Sequence, residues 1–180
     1  MSRPDDAVSG GERWFDRRFE LGLPVSAAPG LLARLRSTTD RLGRAVHDVP
    51  SAILAHRPDG RWSIKENIGH LADLEPLWDR RLDDFDRGAP VLAPADLQNR
   101  RTHEAGHNGR PLEELLHEFR SLREHCLARL ERMDEQALAR VAKHPRLQLD
   151  MSVVDLCYFV AEHDDHHLRT IEQIVRAAAQ

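Results

Sequence analysis

Little in this sequence could build a disulfide scaffold, a membrane span or a large sheet. Among its 180 residues are two cysteines, Cys126 and Cys157. Two do not make a disulfide framework, and both fall on or beside apolar stripes, where cysteine acts as a small hydrophobe. Aromatic residues are only 5% of the chain while charged residues are 31%. With long apolar-periodic segments, that balance favours an α-helical protein. No apolar run approaches the roughly 18 residues of a membrane helix and no signal-peptide core is visible, so a soluble cytoplasmic protein with no membrane partner is expected. A formal net charge of −4 gives no global electrostatic case for nucleic acid. Arginines are interleaved with acids, a pattern of solvated helix faces; Arg140, Lys143 and Arg146 could offer a local anion site near the bundle end, though such clusters are usually solvent-facing. There is no G-x-S-x-G, no P-loop and no G-x-G-x-x-G after a strand, so common hydrolase and nucleotide-binding mechanisms lack their parts.

What is present is helical period. Residues 1–28 read as an N-terminal arm, loose over 1–12, with Trp14, Phe15 and Phe19 able to pack on something; residues 29–180 read as one domain. A first helix is expected from about Leu31 to Val49, stopped by Pro50. A second opens at Ser63 with a capping box to Glu66, carries Ile64, Ile68, Leu71, Leu74, Trp78, Leu82 and Phe85 on one stripe, contains Pro76, and ends at Gly88. A long polar connection over 89–110 follows, too long for a simple turn. Pro111 is expected as the first residue of a third helix running to Met133. A short helical piece and a loop around His144 lead to a fourth helix, opened by Ser152 with Asp155. Four helices with almost no strand signal predict an all-α four-helix bundle.

The chain holds 11 histidines, and three of them sit together in EHDDHHLRTIEQI, Glu162 to Ile174. Histidine is not a strong helix former and needs ring partners when buried. His163 and His167 are four apart, about 40° on a helical wheel, and they continue the stripe Val160, His163, His167, Ile171, Ile174. They therefore face the core. His166 falls on the flank and is expected to be partly exposed. Two imidazoles on one turn can share a cation about 2.0–2.1 Å away, and His70, on the second helix, can supply a third. Three neutral histidines leave one coordination position open, as in catalytic sites. The alternatives are a solvated histidine face or satisfied core histidines.

Other groups carry weaker readings. Glu66 reads first as the capping acid, with support of the site as its alternative. Asp164 either accepts a ring N–H from a ligand histidine or is a surface acid beside Arg169. His163-Asp164-x-x-His167 approaches the H-E-x-x-H zinc-protease helix, but that site needs a downstream third ligand and Glu172 is the one acid left. His103 and His107 share the i, i+4 spacing in the long connection; they read as a polar surface loop, with closure over the open side of a metal as the alternative.

The segments HRPDGRWSIKENIGHLADLEPLWDRRLDD (56–84), DLQNRRTHEAGHNGRPLEELL (96–116) and CYFVAEHDDHHLRTIEQI (157–174) resemble the DinB/YfiT-like superfamily of metal-binding four-helix bundles. The final His-Asp-x-His-His-Leu is the most specific piece. The resemblance implies an up-down-down-up connection and a divalent zinc or nickel ion on three histidines, by position His70, His163 and His167. It implies an enzyme: most directly a thiol S-transferase joining a low-molecular-weight thiol to an electrophilic small molecule, alternatively a metal-dependent hydrolase or a non-catalytic, stress-associated metal-binding protein. A homodimer fits an aromatic arm on such a bundle. Asp164, Glu66 and His166 are the supporting candidates around the ligands; the thiol and the role of His103 and His107 are not given by the sequence.

Overall fold

The structure, a computed structural model, describes residues 14–179; the loose start expected over residues 1–12 lies outside the described residues. Seven helices follow in chain order: α1 (Ala28–Val46), α2 (Ser51–Leu54), α3 (Ile64–Asp86), α4 (Arg100–Glu104), α5 (Leu112–Leu130), α6 (Glu135–Leu138) and α7 (Val153–Ala178). The four long ones form the bundle. α1 packs on α5 and α7, and α3 packs on the same two.

Their directions follow from which residues share a core. One apolar cluster takes Leu31 and Leu35 of α1, Trp78 and Leu82 of α3, Leu127 and Leu130 of α5, and Val153 to Ala161 of α7. The other takes Leu42 and Val46, Ile64 to Ala72, Leu115 and Phe119, and Leu168 to Ile174. α1 and α7 run from the first cluster to the second, α3 and α5 from the second to the first. This is the up-down-down-up bundle expected. The neighbours α3 and α5 are parallel, and a parallel pair cannot be joined by a tight turn, which is why 87–111 is long.

Between the two clusters lies a polar layer to which every long helix contributes: Thr38, His70 and Glu75, Arg123, and His163, Asp164 and His167, all buried. Polar groups are kept at this depth only when they find partners. Arg123 donates to Glu75 at 2.6 Å and to Asp164 at 2.6 Å, and Thr38 donates to Asp164 at 2.9 Å. Outside the bundle seam, acids of α7 pair with arginines of α1, as in Arg41 to Asp165 at 2.6 Å.

Local chemistry fixes the helix ends. Ser63 and Ser152 both close capping boxes, with Glu66 and Asp155. Asp155 also accepts from the backbone of Gly22 and Leu23, at 2.8 and 2.9 Å, and so ties the arm to α7. Gly88, at φ 68, takes the left-handed turn that follows α3. The first helix stops at Val46 rather than Val49, and Pro50 instead precedes α2. Pro111 is the residue before α5, with extended ψ 139, not its first turn.

Two further departures matter for the site. Val141–Lys143 (β1) and Asp150–Ser152 (β2) pair antiparallel, Ala142 opposite Met151, and Val91 bridges to Lys143. Three-residue strands are too short to leave a period-two signature. This hairpin carries His144 and Arg146 over the bundle end. The arm also belongs to the core: Trp14 and Phe19 are buried, ring centroids 5.2 Å apart, and each packs on Phe159. Two of the arm's aromatic residues, Trp14 and Phe19, are thus covered within their own chain, while Phe15 is half-buried. Among the described residues no helix is long and apolar enough to cross a membrane.

Candidate metal centre

His70 on α3 and His163 and His167 on α7 come together as the spacing predicts. All three are buried, and each offers a ring nitrogen within 4.8 Å of the others. The Nε2 atoms of His163 and His167 are 3.2 Å apart. Two ligands on a tetrahedral zinc with bonds of about 2.0–2.1 Å are separated by about 3.3–3.4 Å, so this spacing fits one ion.

Hydrogen bonds decide which nitrogens are free. Asn67 donates its amide to the Ser63 carbonyl at 2.8 Å, which turns its oxygen to His167; the Nδ1–H of His167 donates to that oxygen at 2.8 Å. His70 is fixed through a longer chain. Thr102 donates its single hydroxyl proton to Asp73 at 2.8 Å, so toward His70 it can only accept, and the Nδ1–H of His70 donates to it at 3.0 Å. Burial alone would raise the Asp73 carboxyl, but donors from His107 and Thr102 outweigh it and hold it below the usual range. Both histidines therefore keep an Nε2 lone pair for the site, the arrangement by which supporting groups set a ligand's tautomer. His163 Nδ1 is buried with no hydrogen-bond partner, packed between the rings of Trp14 and Trp78 at 5.0 and 6.1 Å.

Burial pushes the His70 imidazole from its ordinary 6.5 down to about 3, and holds His163 and His167 well below 6.5. All three are neutral near pH 7, the form that binds a cation. The unfolded chain takes these protons near 6.5, whereas the folded chain refuses them until far lower. Stability is therefore full above pH 6.5 and drains as pH falls towards 3. In metal-free protein the urea midpoint should decline steadily over that window, and a flat midpoint would mean the rings are solvated.

Three candidates sit differently from the expectation, while Glu66 keeps the capping role that is its first reading. His166 is buried, not partly exposed; it lines the cavity beside the site, 5.7 Å from the Trp14 ring, because the arm covers the flank of α7. Asp164 supports no ligand histidine and is not a surface acid: it is 1% exposed and bound to Arg123 and Thr38 in the polar layer. Glu66 supports no ligand either, being occupied by the Ser63 backbone at 2.9 Å and by Arg57. His107 is no surface residue. It is buried and donates to Asp73 at 2.9 Å, while His103 is exposed and lies 5.7 Å from Trp62.

His107 reaches that place because α3 has a glycine under it. A Cβ at Gly69 would lie 2.4 Å from the ring of His107. Gly69→Ala should therefore destabilise by roughly 1–3 kcal/mol in urea unfolding; no change would show that the 96–110 segment is not seated on α3.

The histidines form the floor of a cavity of about 210 Å³, smaller than the roughly 300–1,000 Å³ of pockets for drug-sized ligands. Its walls are aromatic: Trp14, Trp62, Trp78 and Phe159. Trp62 lies 4.6 Å from the His70 ring and stacks on His167 at 6.2 Å, and its indole N–H is buried with no partner. Sequence reasoning missed Asn67, Asp73 and Thr102. Asn67 and Asp73 each stand three residues from His70 on α3, the one signal available; Thr102 gave none.

The profile of the DinB superfamily matches residues 34–171. The fold is similar to that of YfiT from Bacillus subtilis, described as a probable metal-dependent hydrolase with an unusual four-helix bundle topology. The TM-score is 0.79 at 18% identity, covering 91% of this chain and 94% of that one. A protein from Streptococcus pneumoniae is similar at TM-score 0.64 and 15% identity, covering 89% and 93%. No curated protein matches the sequence. The family's span runs from within α1 to Ile171, reaches into all four long helices and takes in all three converging histidines: the chain belongs to the DinB superfamily.

Proposed function

We propose that this protein is a metal-dependent enzyme acting on small molecules, with zinc or nickel held by His70, His163 and His167. The observation that carries the reading is the convergence of three neutral imidazoles, two of them locked with Nε2 toward the site, at the floor of an aromatic cavity. A closed storage site would not need that cavity. When bound, the cation would stabilise the anionic form of a thiol, giving a thiolate nucleophile at neutral pH.

The chain supplies the rest. Trp14, Trp62 and Trp78 keep water from the floor, and the unpartnered Trp62 indole N–H can hold an acceptor atom of the substrate beside His70. Transfer of a low-molecular-weight thiol to an electrophile is favoured because it needs no further base once the thiol has ionised. Asp96, the one carboxylate on the cavity wall among the described residues, is committed to the backbone of Gln98 and to Arg100. The hydrolytic alternative is supported by the description of YfiT and by His166, an imidazole on the wall that could take a proton from water.

The test is reconstituted protein given a thiol and 1-chloro-2,4-dinitrobenzene, with 4-nitrophenyl acetate in parallel. Thiol conjugation should exceed the uncatalysed rate and fall to it in His167→Ala. Ester cleavage without thiol use would favour the hydrolase, and neither reaction would leave a non-catalytic metal-binding bundle.

A further inference from the structure

The wall of the cavity away from the histidine floor holds more hydrogen-bond donors than acceptors. Arg81 of α3 is 1% exposed. It donates to the Ala93 carbonyl at 3.0 Å and faces His144 Nε2 at 3.2 Å, with its guanidinium 5.3 Å from the Trp78 ring. Arg146, on the hairpin loop, reaches the Phe15 carbonyl at 3.4 Å with Nη1, but its Nη2 is buried with no partner. Among the described residues neither arginine has a carboxylate at ion-pair distance.

His144 sharpens the mismatch. Its Nδ1 lies 3.3 and 3.1 Å from the backbone N–H groups of Arg146 and Leu147, while its Nε2 faces Arg81. Both ring nitrogens face donors, yet a neutral imidazole has one acceptor nitrogen. One N–H is therefore directed at another donor. Burial and the two arginines keep this ring neutral, pushed down to about 3, so a second proton does not explain the arrangement. A buried guanidinium without a bound anion is costly: burial displaces Arg81 to about 10, and the nearby Asp84 carboxylate, whose oxygens are taken by Arg87 and the Ala93 N–H, offsets that only in part. All three residues line the same cavity as the histidines. One indole, Trp78, separates Arg81 from His163.

We propose that Arg81, His144 and Arg146 form a head-group subsite, and that the cavity's ligand is a small molecule carrying a carboxylate or phosphate there while its other end reaches the three histidines. The anion supplies the acceptors this wall lacks, and planar guanidinium groups suit either oxyanion. That the ligand is also a substrate rests on the reading of the cavity as an active site; the subsite itself does not.

All three tryptophans of the chain line the cavity, so ligand entry can be read by their fluorescence. Chelator-treated wild-type protein is titrated with 3-phenylpropionate, with its neutral counterpart 3-phenylpropanamide, and with phenyl phosphate. An acid should bind about tenfold or more tightly than the amide, as charge-assisted hydrogen bonds allow; which acid binds tighter identifies the head group. Arg146→Gln, on the half-buried hairpin loop, should bring acid and amide together while the amide still binds, and Arg81→Gln should do the same if it folds. Equal binding of acids and amide by wild type would overturn the proposal. So would an acid preference that survives Arg146→Gln, or one that appears only after metal is added, since the ion would then be the anchor. A preference in protein that never binds metal would keep the subsite and remove the enzymatic reading, so the two fail separately.

Discussion

Wild-type protein is expected to bind one divalent ion per chain, and His163→Ala is expected not to. The expected loss is greater than the roughly 10–100-fold that follows when a group merely orienting a ligand is removed. Such lesser losses are expected for Asn67→Ala and Thr102→Val, which release the Nδ1–H of His167 and of His70. A zinc-chelator competition titration ranks the four proteins. The expected order of affinity is wild type, then the two orienting variants, then His163→Ala. Equal affinities for wild type and His163→Ala would remove the three-histidine site. Equal affinities for wild type and both orienting variants would leave the site but show that its rings need no fixing.

Arg123→Met has the largest expected effect on stability. Arg123 is 2% exposed and holds two buried carboxylates, Glu75 and Asp164. Burial acts to lower its affinity for a proton, but the two acids outweigh that and keep it charged. Removing it leaves two buried acids facing each other without a cation, a loss of about 3–5 kcal/mol. Replacing all three members by apolar residues of similar volume should recover most of that loss, because no charge is then left buried. Urea unfolding of the single and triple variants checks both statements. A single variant within about 1 kcal/mol of wild type would mean that water reaches the network.

Much of this was written in residue periodicity, and what escaped it has physical reasons. The capping boxes at Ser63 and Ser152 fix two helix starts by purely local chemistry, so local reading finds them. His163 and His167 were placed in the core because they interrupt an apolar stripe at helical spacing, and they are buried there. The same logic applied to Arg123 and Asp164 would have found the polar layer. Arg123 stands between Phe119 and Cys126 on the α5 stripe, and Asp164 between Val160 and Leu168 on that of α7, yet an isolated charge on a charged helix reads as solvated. The burial of His166 and His107 is supplied from far along the chain, by Trp14 for the first and by the space above Gly69 for the second. No helical wheel contains that information. The hairpin, with His144 and Arg146, was hidden by strands only three residues long.

As proposed here, His70, His163 and His167 hold one divalent ion through their ring nitrogens and leave a position open. X-ray absorption fine structure on zinc-reconstituted protein tests it most directly. Three imidazole nitrogens at about 2.0–2.1 Å and one further light atom are expected. A sulfur shell, a fourth protein imidazole, or no ordered imidazole scattering at all would contradict it.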